Sequence, residues 1–203
     1  MDKDLKFLNQ SSEDTLLWNQ LINNSEEAFS MIFERYYSNL VNYGKTLMSN
    51  SDLVQDCVQD VFADLWNYRT KLSHVTVVKA YLLSSVRKRI ARLHQREHIF
   101  FRAKELDAMD FLLEFSVEDQ MIADDELRLK MEKLNKYLNN LPARQREALY
   151  LRYHQNLSVE EVSKILGINY QSTKNLLFRA IQQIRKDFPT YLILLFFSAA
   201  AKC

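Results

Sequence analysis

Residues 158–180 carry the pattern that most restricts the fold of this chain, because they specify two helices and the corner between them. Ser158 and Glu161 form an S-x-x-E pair, the capping box with which a helix begins. Gly167 ends that helix, since the tight corner requires a residue that adopts a positive φ without strain. A second helix is predicted from Tyr170. This spacing is typical of a helix-turn-helix.

The predicted second helix exposes a cationic strip that also carries side-chain amides. The strip consists of side chains that recur on one face, namely Gln171, Lys174, Asn175, Phe178 and Gln182, with Arg179 on the flank. No acidic residue occurs between Glu161 and Asp187. Such a strip suits phosphates and base edges in a DNA major groove. An ordinary helical hairpin with a solvated face is the alternative interpretation.

The scarcity of turn-forming residues indicates long helices throughout the chain. Among 203 residues there are only two glycines and two prolines, far below average usage. We therefore expect an all-α fold with two small helical domains joined by an acidic linker, the C-terminal domain being the helix-turn-helix. The expected limits are 1–98 for the first domain, 99–126 for the linker, 127–188 for the second domain and 189–203 for a hydrophobic C-terminal tail.

Charge is segregated along the chain. The net charge is only +1, which by itself does not indicate nucleic-acid binding. Residues 79–104 contain eight basic residues and one acid, whereas residues 105–126 contain nine acids and no Lys or Arg. Such segregation indicates separate surfaces for separate partners.

Residues 52–68 predict an amphipathic helix whose polar face is acidic. Its carboxylates recur every four residues and form an acidic stripe, Asp52, Asp56, Asp60 and Asp64, with the amides of Gln55 and Gln59 beside it. Like charges at this spacing repel one another and destabilise a helix. The sequence shows no compensating base within the segment. A basic protein partner therefore explains the stripe better than the alternative, a merely solvated face.

Residues 77–96 predict a second basic helix, far in sequence from the first. Its predicted projecting side chains are Arg87, Lys88, Arg92 and Arg96, joined by Arg89. A solvated charged face normally mixes both signs, whereas the first acid here is Glu97. We therefore predict that this helix contacts nucleic acid.

The termini and cysteines indicate the compartment. The polar N-terminus does not resemble a signal peptide, and Cys57 and Cys203 do not form a disulfide framework. The uncharged run 191–201 spans only about 16 Å as a helix, which is too short for a bilayer. We expect a cytoplasmic protein without membrane insertion, whose tail packs on its own domain or on a partner.

One short motif suggests a different chemistry. His94, Glu97 and His98 match H-x-x-E-H, the pattern of inverted zinc proteases. Metal binding needs neutral imidazoles, and the neighbouring arginines disfavour a divalent cation. We therefore expect no metal, no cofactor and no catalytic residue, and a zinc enzyme stays only as a rival hypothesis.

With these segments in view, the chain resembles a bacterial sigma factor of the small extracytoplasmic-function (ECF) group, from about residue 28 to residue 186. DLVQDCVQDVFADLW looks like the family's helix that grips the clamp coiled coil of core RNA polymerase. VKAYLLSSVRKRIARLHQRE is similar to the segment that opens and reads the −10 element. Residues 141–186 resemble the domain that reads the −35 element.

The resemblance implies a role for three sets of residues. Core polymerase binding is implied for Asp52, Gln55, Asp56, Gln59, Asp60 and Asp64. Binding of −10 DNA is implied for Arg87, Lys88, Arg89, Arg92 and Arg96. Binding of −35 DNA is implied for Tyr170, Gln171, Ser172, Lys174, Asn175, Phe178 and Arg179. The chain departs from the family at two places. Members often carry an Asn near the position of Lys88, where this chain has the run Arg87–Arg89, and Thr173 and Leu176 replace the commoner Val and Arg.

The expected function is that of a sigma factor. The resemblance implies that the protein binds the clamp coiled coil and flap of core polymerase, duplex DNA at −35 and the melted strand at −10. It implies no enzymatic activity, since polymerase does the chemistry, and it implies an anti-sigma protein that holds the chain inactive. The rival from another class is a dimeric helix-turn-helix repressor or activator that acts without core polymerase.

Overall fold

The computed structural model describes residues 2–98 and 125–188, and every regular element within them is helical. The chain divides into two compact units, Met1–Ala103 and Lys104–Cys203. The predicted all-α fold class is confirmed. The predicted linker and C-terminal tail lie almost wholly outside the described residues. The α-helices are α1 (Asp2–Ile22), α2 (Glu26–Leu47), α3 (Ser51–Asn67), α4 (Val78–His98), α5 (Asp125–Asn139), α6 (Ala143–Leu149), α7 (Val159–Leu166) and α8 (Tyr170–Asp187).

The first unit packs α1–α4 around one apolar core. α1 lies against α2 and α4, α2 lies against α3 and α4, and α3 lies against α4. The largest fully buried side chains come from all four helices: Trp18, Leu21, Ile32, Leu40, Tyr43, Phe62, Leu82, Leu83 and Ile90. Aromatic rings join α2 to α3, with Phe33 meeting Phe62 of α3 at a centroid distance of 4.8 Å.

Gly44 sets how closely α2 and α3 approach. A Cβ at this position would lie 2.5 Å from Cγ1 of Val54, a distance that real Cβ atoms do not reach. Gly44 is buried inside α2, so glycine is needed at this position because a side chain would not fit, and not because the backbone requires its conformational freedom. Its cost in helix propensity, about 1 kcal/mol relative to alanine, is offset by this packing.

Side chains that accept backbone hydrogen bonds begin α2 and α3. Ser25 accepts from the Ala28 amide at the start of α2. Asn50 accepts from the amides of Asp52 and Leu53 at the start of α3. α3 ends at Asn67, and a 3₁₀ turn at Arg69–Lys71 leads into an extended segment before α4.

The second unit contains the predicted helix-turn-helix. The Ser158 amide donates to the Glu161 carboxylate at 2.6 Å, and the Glu161 amide donates to the Ser158 hydroxyl at 3.2 Å. Gly167 ends α7 with φ of +67°, and Ser163 of α7 is buried. The capping box and the corner that the sequence predicts are therefore confirmed.

The helix that begins at Ala143 changes its hydrogen-bond pattern part-way. α6 ends at Leu149, and Tyr150–His154 continue as a π-helical turn. The Gln155 amide donates to the buried Tyr150 hydroxyl at 2.9 Å, and Arg152 donates to the Leu157 carbonyl at 2.8 Å. These bonds close the wider turn and lead the chain into α7.

Candidate functional site

The acidic stripe lies on the solvent face of α3. All four of its carboxylates, Asp52, Asp56, Asp60 and Asp64, are exposed, as is Gln59, whereas Gln55 is half-buried. The opposite face of α3 is apolar, with Val54, Val58 and Phe62 in the core. The sequence therefore predicted the orientation of this helix correctly.

Arg89 of α4 compensates half of the acidic stripe. Its guanidinium lies 3.0 Å from Asp60 and 2.6 Å from Asp64. The expectation of a wholly uncompensated stripe is wrong, because the compensating base comes from another helix 25 residues away. Within the described residues, Asp52 and Asp56 have no ion-pair partner. The uncompensated negative charge is thus concentrated near the beginning of α3.

The basic face of α4 is narrower than the sequence indicates. Arg87 is buried, with only 8% of its surface exposed, so its predicted projection into solvent is wrong. The physical reason is helical spacing, since Leu83 and Ile90 precede and follow it on the same buried face. Lys88 and Arg92 are exposed as predicted. The side chain of Arg96 lies outside the described residues.

A cavity of about 250 Å³ lies between the C-terminal end of α3 and α4. Two phenol rings and three cationic side chains contribute to its wall, and the complete lining is Val61, Asp64, Leu65, Tyr68, Leu72, Tyr81, Ser85, Lys88, Arg89 and Arg92. Tyr68 is 54% exposed at this end of α3. Burial raises the pKa of Tyr81, and the negative charge of Asp64 raises it further, which keeps this phenol neutral. The cavity therefore combines flat rings with positive charge.

Sequence reasoning missed this cavity. Tyr81 lies within the predicted basic helix and Tyr68 at the end of the predicted acidic helix, and neither pattern indicates that the two rings line one cavity. The available signal was the pair of tyrosines flanking a segment without helical periodicity, next to a basic run. That signal has meaning only once α3 and α4 are known to pack side by side.

The outer face of α8 matches the predicted strip. Seven of its side chains are exposed together, Tyr170, Gln171, Ser172, Lys174, Asn175, Phe178 and Arg179. Phe178 is 63% exposed and lies among the polar side chains of this face. On the other face Thr173, Leu177 and Ala180 are buried. The Thr173 hydroxyl donates to the Asn169 carbonyl at 3.1 Å, so this departure from the family pattern belongs to the interior.

The N-terminal end of α8 has features that favour contact with an anion. Asn169 caps the helix by accepting from the Ser172 amide at 2.7 Å. No acid lies in the first turn, and the helix dipole places partial positive charge there. The Gln171 amide donates to the Asn175 side chain at 3.2 Å, which holds two amides side by side on the exposed face. This arrangement suits phosphate contact with base recognition beside it.

Two family models match the chain, one in each of its two units. The model of sigma-70 region 2 matches residues 32–98, and the model of sigma-70 region 4 matches residues 131–184, together more than half of the chain. The ECF RNA polymerase sigma factor SigX of Bacillus subtilis (strain 168) is 24% identical over 164 residues, 79% of this chain and 84% of SigX. SigM of the same organism is 25% identical over 154 residues, 76% of this chain and 91% of SigM.

The chain belongs to the ECF sigma factors of the sigma-70 family. As a sigma factor it binds core RNA polymerase and promoter DNA and directs transcription initiation. The rival hypothesis of a repressor that ignores polymerase fails, because it leaves the region 2 match unexplained.

Solved structures show the same fold. CnrH, solved in complex with the cytosolic domain of CnrY, gives a TM-score of 0.55 at 19% identity, over 85% of this chain and 95% of that chain. RpoE from Bartonella quintana, solved in complex with the anti-sigma factor NepR, gives a TM-score of 0.56 at 22% identity, over 78% and 94%. In this sigma factor, region 2 runs from within α2 to the end of α4, so that α1 precedes the matched range.

Two further expectations concern metal and membrane. His94 of the H-x-x-E-H motif is half-buried on α4, while the side chains of Glu97 and His98 lie outside the described residues. Among the side chains that the structure describes, no group of three or more His, Cys, Asp or Glu is placed to hold a metal ion. None of the described helices of the sigma factor has the length and apolar character needed to cross a membrane.

Proposed function

We propose that three surfaces of this sigma factor bind three different partners during transcription initiation. The exposed carboxylates at the beginning of α3 bind the clamp coiled coil of core polymerase. Lys88, Arg92 and the cavity beside α4 bind the melted −10 strand. The exposed face of α8 binds the −35 major groove.

The support for the polymerase surface is the distribution of charge on α3. Asp52 and Asp56 stand exposed without an ion-pair partner among the described residues, so their full charge is available to a basic partner. Asp60 and Asp64 share Arg89, which reduces the attraction they exert. We therefore place the centre of polymerase recognition at Asp52 and Asp56, with Gln59 as an adjoining hydrogen-bonding group. Complementary charge of this kind speeds association and rejects wrong partners.

The support for the −10 surface is the combination of rings and cations at the cavity. Proteins that hold single-stranded nucleic acid stack bases on aromatic rings and follow the backbone with basic side chains. Tyr68 and Tyr81 supply rings, and the exposed Lys88 and Arg92 supply charge. A base–aromatic stack contributes about 1–3 kcal/mol, and an unpaired base has already lost its duplex partner. An unpaired base of the melted strand therefore suits this cavity.

The support for the −35 surface is the chemistry of the α8 face. Gln171 and Asn175 present amides, which pair well with adenine edges, and Arg179 presents a guanidinium, which pairs well with guanine. The exposed ring of Phe178 suits the methyl group of thymine. Lys174 and the beginning of the helix suit phosphates.

We propose that an anti-sigma protein controls the chain, by analogy with CnrH and RpoE, which were solved with CnrY and NepR. The chain itself performs no catalysis in this proposal, since polymerase joins the nucleotides. It acts in the cytoplasm, where polymerase and promoter DNA are found.

The observation that carries the proposal is the unpaired acidic pair at the beginning of α3, and charge reversal tests it. Asp56→Arg is expected to weaken binding to sigma-free core polymerase at least tenfold and to reduce run-off transcription in parallel. Glu34→Arg on α2 is the matched control, because it reverses another exposed acid of the same unit outside the stripe. Equal loss in both variants, or no loss with Asp56→Arg, would contradict the proposed polymerase surface.

A further inference from the structure

α1 lies before the range that matches sigma-70 region 2, yet its Trp18 contacts Tyr81 of the cavity wall and Ser73 of the segment before α4. We propose that Trp18 and Asn19 are positioning residues for capture of the unpaired base, acting through the ring and the segment that form the cavity wall. This inference rests on the proposed role of the cavity in binding the melted −10 strand.

The first contact supports the ring of Tyr81. Trp18 is completely buried, and its indole meets the Tyr81 phenol edge-to-face, with centroids 5.0 Å apart and an interplanar angle of 68°. This is a preferred aromatic geometry, and it limits the tilt of the second ring. Because Tyr81 lines the cavity, the orientation of one cavity wall depends on a side chain from α1.

The second set of contacts ties the segment between α3 and α4 to α1. The Trp18 indole Nε1 donates to the Ser73 carbonyl at 3.1 Å, and the Asn19 side-chain oxygen lies 2.8 Å from Nδ1 of His74. Both hydrogen bonds bridge 55 positions of sequence and reach consecutive residues. Tyr68 and Leu72 of the cavity wall lie just before these two anchored residues.

Anchoring matters here because the segment lies between helices. After the 3₁₀ turn at Arg69–Lys71, residues 72–77 are in no helix, so their positions depend on contacts with other parts of the unit. A binding site whose supporting contacts are absent becomes about 1 Å too loose, and it then loses selectivity before it loses the fold. α1 thus contacts both the Tyr81 ring of the cavity wall and the segment that follows Leu72.

The same helix is fixed to α2 by contacts that do not involve the cavity. The Tyr36 hydroxyl and the Arg35 guanidinium both donate to the buried Asp14 carboxylate, the latter at 2.5 Å. Burial and the hydrogen bond to Asp14 raise the pKa of Tyr36, so this phenol stays protonated as a donor. Tyr36→Phe therefore loosens α1 without touching Ser73, His74 or Tyr81, and it serves as the matched control.

The test uses the full chain bound to core polymerase. Trp18→Phe keeps a ring against Tyr81 but removes the donor to Ser73, and Asn19→Ala removes the contact with His74. Single-stranded −10 oligonucleotides that carry each of the four bases in turn at every position give the discrimination ratio. We expect each variant to lower that ratio about fivefold at one position, the size of one lost hydrogen bond, while binding to core and to −35 duplex stays at the wild-type level.

The inference is overturned if Trp18→Phe and Asn19→Ala both keep wild-type discrimination. It is also overturned if Tyr36→Phe lowers discrimination as much as they do, since a generally loosened α1 would then explain the result. Tyr81→Ala and Lys88→Ala distinguish the role of the cavity in binding the −10 strand from the positioning role of α1. If neither weakens binding of the −10 strand, the proposed role of the cavity fails; if they weaken it while the α1 variants do not, only the positioning role fails.

Discussion

α4 and α8 have similar patterns of basic residues in the sequence, but they differ in how many of those residues are exposed. α8 exposes all seven of the side chains for which −35 binding is implied. α4 buries Arg87 and engages Arg89 with two carboxylates of α3, which leaves Lys88 and Arg92 as its exposed cations among the side chains described.

The difference follows from the number of packing partners. α8 packs mainly on α6 and α7, whereas α4 packs on α1, α2 and α3. A helix with three neighbours retains only a narrow face toward solvent, and long basic side chains beside that face turn inward or pair with a neighbour. A run of basic residues in the sequence therefore indicates an exposed basic surface only when the packing of its helix is known.

The largest expected effect comes from the arginine that α4 buries. Arg87→Ala is expected to lower the free energy of unfolding by about 2–3 kcal/mol, because a buried charged group and the groups around it lose their interactions. Lys88→Ala is the control on the adjacent exposed position, and it is expected to change stability by less than about 0.5 kcal/mol. Denaturant unfolding measures both. Similar stability of the two variants would show that Arg87 belongs to the surface after all.

An effect on binding instead of stability is expected in α8. Arg179→Ala is expected to cost about 1–3 kcal/mol in binding to −35 duplex and to relax selectivity at one base pair, with unfolding unchanged. Arg185→Ala removes the same charge later in α8, so it is expected to weaken binding to all sequences slightly and equally. Binding measured against single-base-pair variants of the −35 element distinguishes them. A uniform loss from Arg179→Ala would limit this residue to phosphate contact.

The smallest expected effect concerns the bridge between α3 and α4. Arg89→Ala releases Asp60 and Asp64, and it is expected to lower stability by less than about 1 kcal/mol, because the ion pairs are partly exposed. Binding to core polymerase is expected to persist and to depend more steeply on salt, since the stripe then carries more net charge. Affinity measured at two ionic strengths tests this. Weaker binding at low salt would indicate that Arg89 itself contacts polymerase.

Local rules were sufficient wherever neighbouring residues decide the structure. The capping box of Ser158 and Glu161, the corner at Gly167 and the faces of α3 and α8 all follow from spacing along one segment. Those features depend on the capping of backbone donors and on the helical period, and both can be read directly from the sequence.

Features that join distant segments were not accessible in the same way. The burial of Arg87 depends on three neighbouring helices, and the pairing of Arg89 depends on the relative rotation of α3 and α4. The contact of Trp18 with Ser73 spans 55 positions, and the cavity exists only after the helices have packed. No periodicity within one segment encodes these distances.

Gly44 carries a consequence for protein engineering. With Val54 occupying the space of a missing Cβ, the separation between the axes of α2 and α3 is set by the absence of one methyl group. An alanine engineered at position 44 would therefore force Val54 to repack or α3 to move away from α2, and α3 carries the four carboxylates of the acidic stripe.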